Sequence, residues 1–165
     1  MITIRKATRS DAHDAWHIRR NSILEKCVHD YPEALLAAWT DGTPGDKWAG
    51  LVERGFYVAT DREVVVATGM LTVETGQIDA IFVRPSHMGL GVGRQMLRFL
   101  ENLAHSHGLA TIKLDATLNA APFYRRCGWA GDTISTYRSP RGLELACVPM
   151  TKTGKISYGY NQNSS

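Results

Sequence analysis

The stretch VRPSHMGLGVGRQML, Val83 to Leu97, carries glycines at alternate positions, Gly89, Gly91 and Gly93. The run before it, GQIDAIFV, reads as a strand. The run after it, from Val92 to about His107, reads as a helix. There Met96, Leu97, Leu100, Leu103 and Ala104 recur three and four apart, and Gly108 supplies the stop. Strand, tight loop and helix must therefore follow one another without a spacer. The first amides of such a helix have no intrahelical acceptor, and its positive end favours an anion. One glycine suffices for a sharp strand-to-helix turn. Three in alternation point to an anion that comes close to the backbone, with no side chain at Gly91 or Gly93 in its way.

Two familiar phosphate loops fail on spacing. In a G-x-G-x-x-G dinucleotide fingerprint counted from Gly89, the last site holds Arg94; counted from Gly91 it holds Met96. A Walker loop needs Gly-Lys-Ser/Thr, and the chain has no such tripeptide. A loop whose amides point at a pyrophosphate remains.

The rest of the chain frames this unit. MITIRKAT alternates as a short strand, and RSDAHDAWHIRRNSILEKC follows as a helix that Ser10 or Asp11 can cap. Ala12, Ala15, Trp16, Ile18, Arg19 and Ile23 form a mixed stripe along it. PEALLAAW predicts a second short helix, and TDGTPGDKW has turn chemistry. FYVA and VVVATGML read as a hairpin joined by TDRE. After the glycine loop and its helix come a strand ATIKLDA, a short helix NAAPFYRRCGW ending at Gly128, and a final strand LELACVPM. The order β-α-α-β-β-β-α-β-α-β predicts a mixed α/β (α+β) sheet, antiparallel early, with βαβ crossovers late. Residues 1–153 form one domain, and 154–165 read as a flexible C-terminal tail.

A formal charge of +3, with basic and acidic residues interspersed, gives no basic stripe for nucleic acid. Cys27, Cys127 and Cys147 lie far apart with no metal-ligand spacing, so neither a zinc site nor a disulfide framework is expected. Reduced thiols in a cytoplasmic protein are the plain expectation. Nothing near Met1 reads as a signal peptide, and no apolar run is long enough to span a bilayer.

VRPSHMGLGVGRQML resembles the acetyl-coenzyme A loop of the GNAT acyltransferase superfamily. That loop is a strand ending in Val-x-Pro, then two residues, Gln or Arg, and Gly-x-Gly-Ile/Val-Gly. Val83, Pro85, Gly89, Gly91, Val92 and Gly93 match it, while Met88 stands where Gln or Arg is usual. One helix and one strand downstream, LNAAPFYRRCGW resembles the family's Asn-x-x-Ala-x-x-Phe-Tyr-x-x-x-Gly-Phe segment. Its spacing is compressed between Asn119 and Phe123, and Trp129 replaces the last aromatic. The similarity runs from Ile2 to about Lys152.

The resemblance implies a GNAT-like fold with a splayed central strand forming a CoA cleft, acetyl-CoA as co-substrate, no metal, and transfer of the acetyl group to a primary amine. Amides from Met88 through Gly89, Gly91, Val92 and Gly93 to Arg94 would hold the pyrophosphate. Arg94 is either a further phosphate contact or a solvated helix residue. Phe82 and Val83 would pair with the pantetheine arm, with the Val83 amide as oxyanion donor. Asn119 would bond the cofactor, cap the helix after it, or do both.

Tyr124 is the candidate general acid, or else a core tyrosine. A leaving thiolate has a conjugate-acid pKa of ~8.5, below a phenol at ~10, so a phenol that is neutral at pH 7 can hydrogen-bond to or protonate that sulfur. Asp79, sharing a strand face with Gln77, is the candidate base, or orients a water; Glu74 is second.

The acceptor side carries His17, His29, Tyr31, Trp39 and Trp48, as pocket wall or as core. The expected acceptor is the amine of a small molecule or peptide. A non-catalytic acyl-CoA sensor on the same fold is the alternative. The apolar final strand, if at a sheet edge, would permit a homodimer.

Overall fold

The computed structural model describes residues 1–154, so the tail expected over 154–165 lies outside the described residues from residue 155 on. Its strands are β1 (Ile2–Lys6), β2 (Phe56–Asp61), β3 (Val64–Thr72), β4 (Gln77–Val83), β5 (Thr111–Ala116), β6 (Ser135–Arg138) and β7 (Glu144–Thr153). The α-helices are α1 (Ala12–Lys26), α2 (Glu33–Thr40), α3 (Asp46–Gly55), α4 (Val92–Ser106) and α5 (Ala121–Arg126). The strands form a seven-stranded sheet in the order β1-β2-β3-β4-β5-β7-β6, antiparallel except between β4 and β5.

The β2–β3 hairpin closes through Arg62 and Glu63, at φ 50° and 69°. Two left-handed residues make the turn whose twist suits the flanking strands. The expected hairpin is there despite the missing Asn-Gly. Helix α4 buries Val92, Met96, Leu97 and Leu100 on one face of the sheet, each contributing about 1.5–3 kcal/mol. It comes close to β3 at Gly69, where an added Cβ would sit 2.8 Å from Met96 Cγ and 2.9 Å from Leu100 Cδ1. The opposite face packs against α1 and α3 through Ala15, Ile18, Val52, Phe56 and Val58.

Four expectations are corrected. TDGTPGDKW is only partly a turn: from Asp46 it becomes α3, which buries Val52 and sends the Trp48 indole N–H to the Ala12 carbonyl at 2.8 Å. Strand β6 was not expected, because all its residues are exposed and show no alternation; it exists through pairing with β7. Neither Ser10 nor Asp11 caps α1 by side chain. Asp11 instead accepts the Thr8 amide at 2.8 Å and a two-point contact from Arg5 at 2.8 and 3.0 Å. Hydrogen bonds from Arg5 hold its carboxyl below the usual range. Finally, β7 is no edge. It lies between β5, which pairs with its residues 148–153, and β6, which pairs with its residues 144–147.

Two departures from regularity position the site. First, β4 and β5 share one bridge, Gln77 with Lys113, and diverge beyond it. Second, β4 carries a bulge: Met70 faces Asp79 but Thr68 faces Phe82, so β4 spends three residues where β3 spends two. Ala80 there has φ 57°, a conformation that costs a non-glycine residue about 1–2 kcal/mol. The Thr68 hydroxyl supports it by donating to the Ala80 carbonyl at 2.7 Å.

Candidate active site

The bulge changes which side chains face together. Ile78, Ile81 and Val83 join the core under α4, whereas Ala80 and Phe82 join the α1/α3 side. Strict alternation from Gln77 would set Phe82 opposite Asp79; the extra residue returns it to Asp79's face. Where β4 and β5 part, a cleft of about 990 Å³ opens, lined by β4, the glycine loop, the start of α5, β6 and the aromatics of α1 and α2.

At one end lies the loop. Gly89 and Gly91 have φ of 77° and 80°, and a Cβ on either would meet nothing within 4 Å. They are glycines for backbone conformation, and the space above them is open. Gly93 is helical, and its added Cβ would sit 3.3 Å from Val83 Cγ2 and 3.9 Å from Phe123 Cζ, so it is glycine for closeness to β4 and α5. Within α4 the amide of Gln95 bonds Gly91 O at 3.1 Å; the amides of residues 89–94 have no backbone acceptor among the described residues. The Met88 amide, by contrast, goes to Pro85 O at 3.3 Å, so the row of free amides begins at Gly89. Arg94 is exposed in the first turn of α4 and lines the cleft. From behind, the His87 ring meets Asp61 of the hairpin at 3.0 Å.

Phe82 and Val83, expected to act together, have different tasks. The Arg84 amide donates to Val66 O at 2.7 Å, which puts Arg84 and Phe82 in hydrogen-bonding register with β3. Alternation then turns the Val83 amide the other way, to the edge β5 has left. Phe82 instead contributes its ring to the cleft wall.

Asp79 is half-buried at the fork. Burial pushes its carboxyl above the usual range, a hydrogen bond with Gln77 opposes the shift, and the charge of Asp115 adds to it. Glu74 is exposed in the β3–β4 turn and lies outside the cleft. Tyr124, on α5, lines the cleft with its ring 9% exposed, edge-on to Phe123 and Trp129. Burial drives its phenol well above the ordinary range, so it is neutral at any physiological pH. Asn119 does not cap α5. Its side-chain oxygen accepts the Cys27 thiol at 3.3 Å, and its amide nitrogen remains for the cleft.

A split sheet, a row of free amides and an apolar-sheltered phenol thus occupy one cleft. The model of the Acetyltransferase (GNAT) family matches residues 3–129. The chain belongs to the GNAT acetyltransferase family.

Solved structures agree with this. A GCN5-related N-acetyltransferase from Rhodopseudomonas palustris superposes with a TM-score of 0.83 at 28% identity, covering 92% of this chain and 94% of the other. Two further structures share the fold. YncA of Salmonella typhimurium, a putative acetyltransferase solved with acetyl-CoA, gives TM-score 0.68 at 19% identity, over 94% and 95% of the two chains. The PaiA N-acetyltransferase of Thermoplasma acidophilum, solved with coenzyme A, gives 0.69 at 15%, over 93% and 99%. No curated protein matches.

This GNAT chain also shows why Trp129 stands at the second motif's end. Its indole N–H donates to the buried Glu101 carboxylate at 3.0 Å, and Lys152 reaches the same carboxylate at 3.1 and 3.2 Å. The group ties α4, the α5 turn and β7 together beneath Tyr124.

Of the residues expected on the acceptor side, Trp39 and Trp48 line the cleft, joined by Trp16 of α1. Tyr31 lines it too, but is 6% exposed and braces the interior, donating to Ala146 O and accepting the Leu118 amide at 3.1 Å. His17 pairs with His13 at 3.2 Å, and neither His17 nor His29 lines the cleft.

Among the cleft residues that were not anticipated are Arg19, Asp115, Tyr137 and Arg141. Asp115 had a signal, since Lys113 and Asp115 alternate with Ile112 and Leu114. So did Arg19, a cation on α1's apolar stripe. Tyr137 and Arg141 come from β6 and its turn, which sequence patterning does not show. Among the described residues no three His, Cys, Asp or Glu converge as a metal site, and no helix is long and apolar enough to cross a membrane.

Proposed function

We propose that the protein is an N-acetyltransferase moving an acetyl group from acetyl-CoA to a primary amine of a small molecule or peptide, by direct attack with both substrates bound. The observation that carries this is the single β4–β5 bridge at Gln77 and Lys113, with the amides of residues 89–94, which have no backbone acceptor among the described residues, at the mouth of the gap. Open space over Gly89 and Gly91 fits a pyrophosphate against the backbone, and the helix start adds positive potential. Acetyl-CoA bound there supplies an activated acyl carbon.

The residues then divide the work. The Val83 amide is a fixed donor for the oxygen on which charge develops. Asp79, its affinity for protons raised by burial, removes a proton from the incoming ammonium, directly or through water. Tyr124 relays a proton to the departing sulfur: its phenol donates one and takes up the second proton that the attacking nitrogen sheds as the amide forms, so no buried phenolate is left behind. Asn119 holds the donor from the opposite side of the gap.

The test is a panel of amines with acetyl-CoA, followed by thiol release, beside calorimetry with acetyl-CoA alone. Turnover of at least one amine is expected. Heat of binding with no transfer to any amine would favour a CoA sensor, and no heat from a folded protein would refute the cleft as a CoA site.

A further inference from the structure

The acceptor end of the cleft holds an unneutralised cation. Arg19 projects from α1 into it, its guanidinium 5.4 Å from the Trp16 ring centroid. Nη2 donates to Trp39 O at 3.1 Å, but Nη1 is buried with no hydrogen-bond partner. A buried donor left unmade is costly, more so on a charged group, and arginine cannot escape by losing its proton. No carboxylate forms an ion pair with Arg19 among the described residues; the charged group acting on it most is another cation, Arg141. Arg141 reaches across from the β6–β7 turn to Asp41 O at 2.7 Å, while its Nη2 stands 3.9 Å from Asp41 Oδ2.

The other end has the opposite character. Asp79 and Asp115 lie at the fork of the sheet; the charge of Asp115 acts on Asp79, and both act on Tyr137. One wall is acidic where an amine must arrive, and the far wall is cationic with a donor to spare. Trp16, Trp39 and Trp48 line the same cleft, Trp16 and Trp39 in contact with Arg19.

Building on the acetyltransferase reading, we infer that the acceptor is a free amino acid with an apolar side chain. Its carboxylate bonds the Arg19 guanidinium beside Arg141, its amine faces Asp79, and its side chain lies against the tryptophans. A peptide N-terminus would present a neutral amide to Arg19 and leave the charge unmatched, so the site favours single amino acids over peptides.

The experiment compares L-phenylalanine, L-methionine and L-tryptophan with their carboxamides as acceptors, reading kcat/KM by thiol release. Amidation also lowers the basicity of the amine and so aids attack. A preference for the acid therefore reports recognition of the carboxylate. At least one pair should favour the acid tenfold or more, as expected for a charge-assisted hydrogen bond. Arg19→Met should bring that ratio close to one, and Arg19→Lys should keep part of it. Carboxamides used as well as acids by the wild-type protein would overturn the inference while leaving acetyl transfer intact. So would an acid preference unchanged in a folded Arg19→Met variant. Absence of transfer in both arms, with no acetyl-CoA heat, would instead refute the parent reading and the inference with it.

Discussion

Replacing Trp129 by phenylalanine, the residue usual at this place in the motif, tests how the fold holds Tyr124. The indole donates to Glu101 Oε1 at 3.0 Å, inside a region where Glu101 is 6% exposed. Trp129→Phe removes one hydrogen bond to a charged acceptor, worth about 1.5–3 kcal/mol. Lys152 still reaches both oxygens, at 3.2 and 3.1 Å, so the carboxylate is not orphaned and the loss stays within that range. At about 2–4 °C per kcal/mol for a domain of this size, Tm should fall by about 3–12 °C. Lys152→Met is the contrasting perturbation. It leaves a buried carboxylate with one neutral donor, and breaking such a pair costs about 3–5 kcal/mol. Because the Lys152 side chain is 30% exposed, water can enter, and the lower end applies. The assay is urea unfolding followed by circular dichroism. The two variants should rank Lys152→Met below Trp129→Phe below wild type. The Trp129 amide also donates to Tyr124 O at 3.0 Å, a main-chain bond that survives the side-chain change, so turnover should fall much less than stability. A Trp129→Phe protein within about 0.5 kcal/mol of wild type would refute the view that Glu101 is held by this residue.

Tyr124→Phe should lower kcat by about 10²–10⁴, the range for losing a general acid, with little change in the KM for acetyl-CoA; unchanged turnover would remove Tyr124 from the mechanism. Asp79→Asn should abolish the acidic limb of the kcat/KM profile. It should also stabilise the fold at pH 7, because a carboxyl whose affinity for protons is raised on folding supports the native state at low pH. That support is lost as pH rises from the unfolded value of about 3.8 through the raised native one. The stability gap, read by urea melts at pH 7 and pH 4, should therefore shrink on acidification; a gap independent of pH would contradict the assignment. Gly91→Ala should cost about 1–2 kcal/mol through its positive φ and raise the KM for acetyl-CoA, measured by initial rates; a wild-type KM would argue against the amide row as the pyrophosphate site.

What was legible in the chain was everything carried by local chemistry. Glycines at 89, 91 and 93, the apolar stripe of α4 and the order of strands and helices act over a few residues each, so their consequences can be read in line: a loop of free amides, a helix behind it, a mixed sheet around both. Asp79 and Tyr124 were legible as chemical types in suitable places. The bulge at Ala80 was not, because nothing in GQIDAIFV shows that β4 will spend one residue more than β3, and that single residue decides which side chains share a face with Asp79. The fork between β4 and β5 was expected only through the resemblance of the glycine loop to a known family, since local chemistry says nothing about the register of two strands separated by a helix. The pairing of β6 with β7, and with it Tyr137 and Arg141 in the cleft opposite Arg19, arises from hydrogen bonds between segments remote in sequence. Local interactions laid down the glycine loop and the helix behind it; long-range pairing assembled the far end of the cleft.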